Sequence, residues 1–242
     1  MKDESAIVTG AGKRVGAHIA GALVRDGWHV FAHVRSEEDV VPTGAIRIVA
    51  DLNDPDCAAK IFAATASAPP VRLLVNNAAR FSFDALGEFD PGEFDRHMAV
   101  NVRAPALLIE QLAKVHHEGD ALVVNILDSK LSGSNPDFLS YTLSKHALGA
   151  LTELAARALA SQGIRVNGIA PALMLRSNGQ SEENFEAMHE NNPLRRGIAP
   201  DDVVDAIRFL VEAKGVTGQV ITIDSGQRFM SLPRDVQFLG AQ

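Results

Sequence analysis

SAIVTGAGKRVG, residues 5–16, decides the fold. A short apolar run, read as a strand over residues 6–9, meets a turn holding Gly10, Gly12 and Gly16, and a helical pattern follows over residues 15–26. Glycines in such a turn let the backbone bend tightly and approach a ligand. The helix that opens there offers free N–H groups and a partial positive charge to a pyrophosphate. A glycine-rich turn can also do no more than join a strand to a helix, but its place on the first βα unit favours phosphate binding.

The same alternation runs on along the chain. Strands are expected over residues 29–34, 45–50, 72–76, 121–126, 165–169 and 219–224, and helices over 55–66, 92–117, 140–162 and 200–213. Strands separated by helices imply right-handed crossovers and a parallel sheet covered on both faces. The expected class is therefore α/β, a single-domain Rossmann fold with a doubly wound seven-stranded parallel sheet. Residues 173–199 form a long polar stretch, expected to be a substrate-binding loop or lid. Residues 227–242 read as a tail, with a neighbouring subunit's active site as one place for it to lie.

Composition agrees. The 242 residues suit one domain over 1–242, and 46% hydrophobic with 22% charged residues is ordinary for a globule. A net charge of −7 argues against nucleic acid as the main partner. The lone Cys57 forms no intrachain disulfide and suits a reducing interior, so the expected location is cytoplasmic. No run of ~18 apolar residues points to a membrane span, the N-terminus lacks a signal-peptide layout, and no metal site is expected.

The second strand ends HVRS, with Arg35 and Ser36 and no acid before Glu37. Folds that bind the non-phosphorylated dinucleotide usually place an acid there for the ribose hydroxyls. A guanidinium instead pairs with a 2′-phosphate, and Lys13 and Arg14 add charge nearby, so NADP(H) is expected. The competing reading leaves Arg35 as a solvated surface residue.

YTLSK, residues 141–145, contains the only tyrosine. On a helix, Tyr141, Lys145, Leu148, Ala155 and Leu159 form one stripe, which continues as an apolar face. The lysine's charge is expected to favour phenolate and lower the phenol pKa, giving a proton donor near neutral pH. Asp128, thirteen residues upstream, would act in the opposite sense and suits a substrate that presents N–H donors. A core tyrosine beside a snorkelling lysine is the bland alternative.

The ordered set TGxxxRxG, Asp51 in ADL, NNAA at 76–79, Asn101 in VNV, an acid or hydroxyl at 128–129, YxxxK and IAP at 169–171 resembles the short-chain dehydrogenase/reductase family over nearly the whole chain. The resemblance implies hydride transfer from nicotinamide, Tyr141 as proton donor, Lys145 as pKa tuner and ribose ligand, and Asn101 holding a relay water. It also implies cofactor contacts from Gly10, Lys13, Arg14, Val15 and Gly16, from Asp51 and Leu52, from Asn77, Ala78 and Ala79, and from Pro171 and Leu173. Arg14 stands where most members have a glycine, and Asp128 where most have a serine; a one-residue slip would put Ser129 there instead. TGxxKRxG, HxR-Ser and the aspartate together are similar to pteridine and dihydromonapterin reductases. By that analogy Phe81, with Arg14, Asp128 and Ser129, contacts the substrate, whose ring lies between Phe81 and the nicotinamide. Ala79 replaces a serine those enzymes often carry.

These residues favour an NADPH-dependent reductase of a small planar substrate, a dihydropterin first. A reductase of ketones, sugars or 3-oxoacyl compounds competes with it, as does a non-catalytic NADP(H) sensor. The resemblance also implies a homotetramer through residues 92–117, 140–162 and the last strand, for which Ala155, Ala156, Ala158 and Ala160 would allow close helix packing; the same alanines could equally pack inside the monomer.

Overall fold

The computed structural model describes residues 3–177 and 179–239. Its order is β1 (Ser5–Val8), α1 (Arg14–Arg25), β2 (His29–Val34), β3 (Ile46–Val49), α2 (Cys57–Ala63), β4 (Val71–Asn76), α3 (Pro91–Met98), α4 (Ala104–Val115), β5 (Ala121–Ile126), α5 (Leu139–Leu159), β6 (Ile164–Pro171), α6 (Glu182–His189), α7 (Pro200–Glu212) and β7 (Val220–Ile223). The strands form one sheet in the order β3-β2-β1-β4-β5-β6-β7. Every adjacent pair is parallel.

Strands buried on both faces need continuous apolar sequence, and ALVVNI of β5 is buried at every position. One face carries α2, α4 and α5, packed through Ile61, Leu108, Leu112 and Ala155. The other carries α1 and α7, through Ile19, Leu23, Val203 and Ile207. The sheet order reverses between β1 and β4, and the crevice beyond their carboxyl ends is where such folds take ligands.

Two expectations change, and a third divides. The helix expected over 92–117 is two helices joined by a π-helical segment, Ala99–Arg103, with Asn101 at its middle. A π-turn admits one more residue per turn than an α-helix, and sequence periodicity does not reveal it. The stretch 173–199 is not all loop: it contains α6, started by Ser181, whose Oγ accepts from the Asn184 N–H at 3.1 Å. Of the four alanines proposed for helix packing between subunits, Ala155 and Ala156 are buried inside the chain, whereas Ala158 and Ala160 are exposed. No helix among the described residues is long and apolar enough to cross a membrane, and they contain no cluster of three metal-ligating side chains.

Candidate active site

The glycine-rich turn is braced from three sides. Gly10 lies at φ +65°, a conformation glycine adopts without strain, and its N–H donates to His33 Nδ1 at 3.2 Å. His33 Nε2 donates in turn to the Ala50 carbonyl at 3.0 Å, which fixes the neutral tautomer; burial lowers its pKa. Thr9 Oγ1 accepts from the N–H groups of Asn77 and Ala78, each at 3.0 Å, and Asn77 Nδ2 donates to the Thr9 carbonyl at 2.9 Å. A Cβ on Gly16 would stand 2.2 Å from the Gly10 oxygen, so the helix start and the turn are in direct contact.

Arg14 adopts φ +51°, a left-handed conformation that explains why glycine is usual there. Its guanidinium donates to the carbonyls of Arg176 at 2.9 Å and Leu175 at 3.4 Å, which fastens the segment after β6 to the turn. No side chain caps α1. Its start, with Lys13, Arg14, Val15 and Gly16, lines a cavity of about 660 Å3. Unclaimed N–H donors with a neighbouring cation fit a dinucleotide pyrophosphate.

Gly10, Lys13, Arg14, Val15 and Gly16 line that cavity, as do Asn77, Ala78, Ala79, Pro171 and Leu173. Arg35, Ser36, Asp51 and Leu52 do not. Arg35 is exposed at the end of β2. Ser36 lies in the following turn, its N–H donating to Asp39 at 3.0 Å. Asp51 accepts from the Asn53 N–H at 2.9 Å, and Leu52 is buried in the core.

The helix carrying the tyrosine is set by a remote acid. Phe138, before α5, is itself left-handed at φ +56° and offers no cap. Asp84 supplies one, accepting from the Ser140 N–H at 2.9 Å and from its hydroxyl. Tyr141 Oη then donates to Asp128 Oδ2 at 2.8 Å, while Asp128 Oδ1 accepts from the Lys130 N–H at 2.9 Å. Asp128, not Ser129, therefore meets the phenol. Ser129 begins a 3₁₀ turn, Ser129–Leu131, and still lines the cavity. Lys145 Nζ donates to the Ile126 carbonyl at 2.7 Å and lies 5.5 Å from the Tyr141 ring centre.

The electrostatics reverse one expectation. Lys145 is only 3% exposed, and burial pulls its pKa down to about 8, with Asp128 opposing the shift. The Tyr141 pKa is raised well above the usual phenol value, first by burial and then by the charge of Asp128 and the bond to it. The sequence sets the cation one turn away against the opposing Asp128. Desolvation, which spacing does not show, and the carboxylate in contact outweigh the cation. Burial likewise raises the Asp128 carboxyl, against the pull of the Lys130 N–H, Tyr141, Lys130 and Lys145. A phenol that keeps its proton beside a carboxyl able to take one can serve as a two-group proton relay.

Phe81 lines the cavity and is 43% exposed. One ring face is stacked on Phe138 at 4.3 Å, and its ring meets Tyr141 edge-on at 4.7 Å, so one face at most remains for a ligand. Glu93 fixes the residues on either side of it, accepting from the Arg80 guanidinium and the Ser82 hydroxyl. The Arg80 bond holds the Glu93 carboxyl far below the usual carboxylate range. Asn101 does not reach the cavity: its Nδ2 donates to the Arg80 carbonyl at 3.0 Å and Ser144 Oγ at 2.9 Å, and its Oδ1 accepts from the Arg80 N–H at 2.7 Å. Its side chain orders the loop after β4 that carries Phe81.

The sequence reading missed Lys130, Asp235 and Val236, which line the cavity from the loop after β5 and from the C-terminal segment. No local pattern marks them, because 130 and 235 meet only through the fold. The tail, within its described residues to 239, lines its own chain's cavity through Ser231, Leu232, Asp235 and Val236.

The family model described as enoyl-(acyl carrier protein) reductase matches residues 10–228. L-xylulose reductase of Caenorhabditis elegans is 30% identical, over 93% of this chain and 95% of its own. Pteridine reductase 1 of Leishmania tarentolae is 31% identical, over 91% and 95%. The crystal structure of FolM alternative dihydrofolate reductase 1 from Brucella suis, in complex with NADP, superposes with a TM-score of 0.87 at 36% identity, covering 93% of this chain and 95% of that one.

Proposed function

Because the chain belongs to the short-chain dehydrogenase/reductase family and is therefore an oxidoreductase, we propose that it uses NADPH to reduce a small planar heterocycle, a dihydropterin first. The observation that carries this choice is the 2.8 Å bond from Tyr141 Oη to Asp128 Oδ2. Ordinary carbonyl reduction calls for a hydroxyl in that place, donating to the substrate oxygen. A carboxyl suits a ring that offers N–H donors and a nitrogen to be protonated. Two relatives bear names that refer to a pteridine and to dihydrofolate, and the second was crystallised with NADP.

Bound NADPH supplies the hydride. The N–H groups at the start of α1 and Lys13 would hold its pyrophosphate, Arg35 and Ser36 its 2′-phosphate, and Asp51 and Leu52 its adenosine side. Lys145 would hold the nicotinamide ribose, and Pro171 and Leu173 the nicotinamide. Tyr141 stays a phenol at neutral pH, so Oη carries the proton for the ring nitrogen of the C=N bond. Asp128, whose burial favours its protonated form, takes up a proton from solvent and returns it to the Tyr141 phenolate, while the Lys145 ammonium offsets the negative charge as it moves. Phe81 supports the substrate ring edge.

The test is an NADPH-oxidation panel of dihydropterins, ketones, sugars and 3-oxoacyl thioesters, repeated with NADH. Dihydropterin turnover is expected, with NADH at least about tenfold poorer, since a lost charge-assisted contact costs about 1.5–3 kcal/mol. Rapid ketone reduction with no pterin reduced overturns the choice. It would favour the second reading, carbonyl reduction with Ser129 as the hydroxyl, for which Ser129's place on the cavity wall speaks. The enzyme is proposed to assemble as a homotetramer through α4, α5 and β7, where Leu154 and Val220 are exposed apolar residues.

The Lys145 pKa of about 8 makes a further test. The ammonium predominates below that pH and the amine above it. If the cation supports the forming phenolate, kcat/KM falls as pH rises through about 8, because this parameter reports the free enzyme. A rise through the same range would remove Lys145 from that role.

A further inference from the structure

We propose that the C-terminal segment, residues 227–239, is the size-selecting wall of the substrate cavity, admitting a compact ring and turning away one that carries a long arm. The proposal rests on the reductase reading above for its substrates, but not for its geometry. After β7 the chain reverses at three left-handed residues, Ser225 at φ +49°, Gly226 at φ +83° and Ser231 at φ +50°. The returning segment places Ser231, Leu232, Asp235 and Val236 on the same cavity as Asp128 and Tyr141. That cavity, about 660 Å3, must also admit the nicotinamide end of the cofactor. What is left suits a small bicyclic ring.

Three anchors hold the wall. Lys130 Nζ meets Asp235 Oδ2 at 2.7 Å, with both side chains largely buried, and also donates to Asn135 Oδ1 at 2.9 Å. Asp137 accepts from Arg234 Nε and from the Asp235 N–H, both at 2.8 Å. Phe238 stacks on Phe138 at 5.9 Å and meets Phe83 edge-on at 5.5 Å, while the Leu239 carbonyl accepts from Asn184 of α6. Lifting the segment would take from the Lys130 ammonium its carboxylate partner and leave it only the neutral Asn135 oxygen, which favours the closed position. The anchor is also tied to the reacting groups, because the Lys130 N–H donates to Asp128. The wall's distance from the relay is therefore set over two residues of chain, 128 to 130.

The test compares the full-length protein with the double variant Arg234→Ala/Phe238→Ala. Asp137→Asn, which keeps its side chain's shape, stands in if the double variant does not fold. Amide hydrogen exchange over residues 231–239 reports release of the segment without reference to activity. kcat/KM is measured for a dihydropterin with a short side chain and for dihydrofolate, whose arm is long. Release is expected to speed exchange and to lower the preference for the short substrate by about tenfold or more. Two outcomes overturn the wall: faster exchange with an unchanged preference, or a wild-type segment that exchanges as freely as the variant's. If the wild-type protein reduces no dihydropterin, the substrate reading fails separately. The same comparison with a short and a long aryl ketone then decides the wall.

Discussion

Replacing Tyr141 with phenylalanine is expected to lower kcat about a thousandfold while the NADPH dissociation constant stays within about threefold, a loss within the range for removing a positioned general acid. The variant removes one oxygen. The ring still fills the space beside Phe81 and below Lys145, so packing against both survives. What disappears is the hydroxyl bonded to Asp128 Oδ2. Steady-state kinetics and titration of NADPH fluorescence separate the two effects. Undiminished turnover would take the proton-donor role away from Tyr141. Equal loss of turnover and cofactor binding would make the hydroxyl a structural group.

The second large effect is expected at Asp128. Asp128→Asn keeps the shape and one acceptor oxygen, which can take the Lys130 N–H while its NH2 turns to the Tyr141 oxygen, but it cannot carry a proton. Dihydropterin reduction is expected to fall about a hundredfold, at the lower end for a lost acid–base group. The same change should stabilise the fold at neutral pH. The folded-state carboxyl pKa is raised by burial, so the folded protein disfavours the ionised form. That penalty is absent below the unfolded pKa of about 3.9, grows as pH rises toward the folded value and is constant above it. The variant's gain in Tm should therefore appear near neutrality and vanish near pH ~4. A variant that keeps full pterin turnover removes Asp128 from the relay. A gain in Tm that is the same at both pH values means that the carboxyl is not under the electrostatic load its burial implies. Asp128→Ser is the companion substitution: it restores the hydroxyl usual in the family and is expected to favour ketones over pterins.

Much of this was legible in the sequence because it depends on spacing. Tyr141 and Lys145 lie one helical turn apart, so any helix over 140–162 brings them to one face, and both are buried there. Seven strands appear at the expected apolar runs, with ends shifted by at most two residues. Helix α6 was missed although its start is visible: Ser181 followed by two glutamates is a helix N-terminus. It has no buried residue, so no apolar stripe drew attention to it. The π-turn at Asn101 was hidden for a different reason, since its neighbours fit an α-helix equally well.

By itself the sequence determined the alternation of strand and helix, the uncapped helix start after a glycine-rich turn, and the placing of a phenol and an ammonium on one helical face. These follow from local geometry with periods of two and 3.6 residues. Tertiary structure alone decided the sign of the Tyr141 shift, the choice of Asp128 over Ser129 as the phenol's partner, and the closing of the cavity by residues 227–239. The first depends on how much water is excluded, the second on which side chain a 3₁₀ turn aims inward. The third depends on contacts between Lys130 and Asp235, more than a hundred residues apart, which no local pattern encodes.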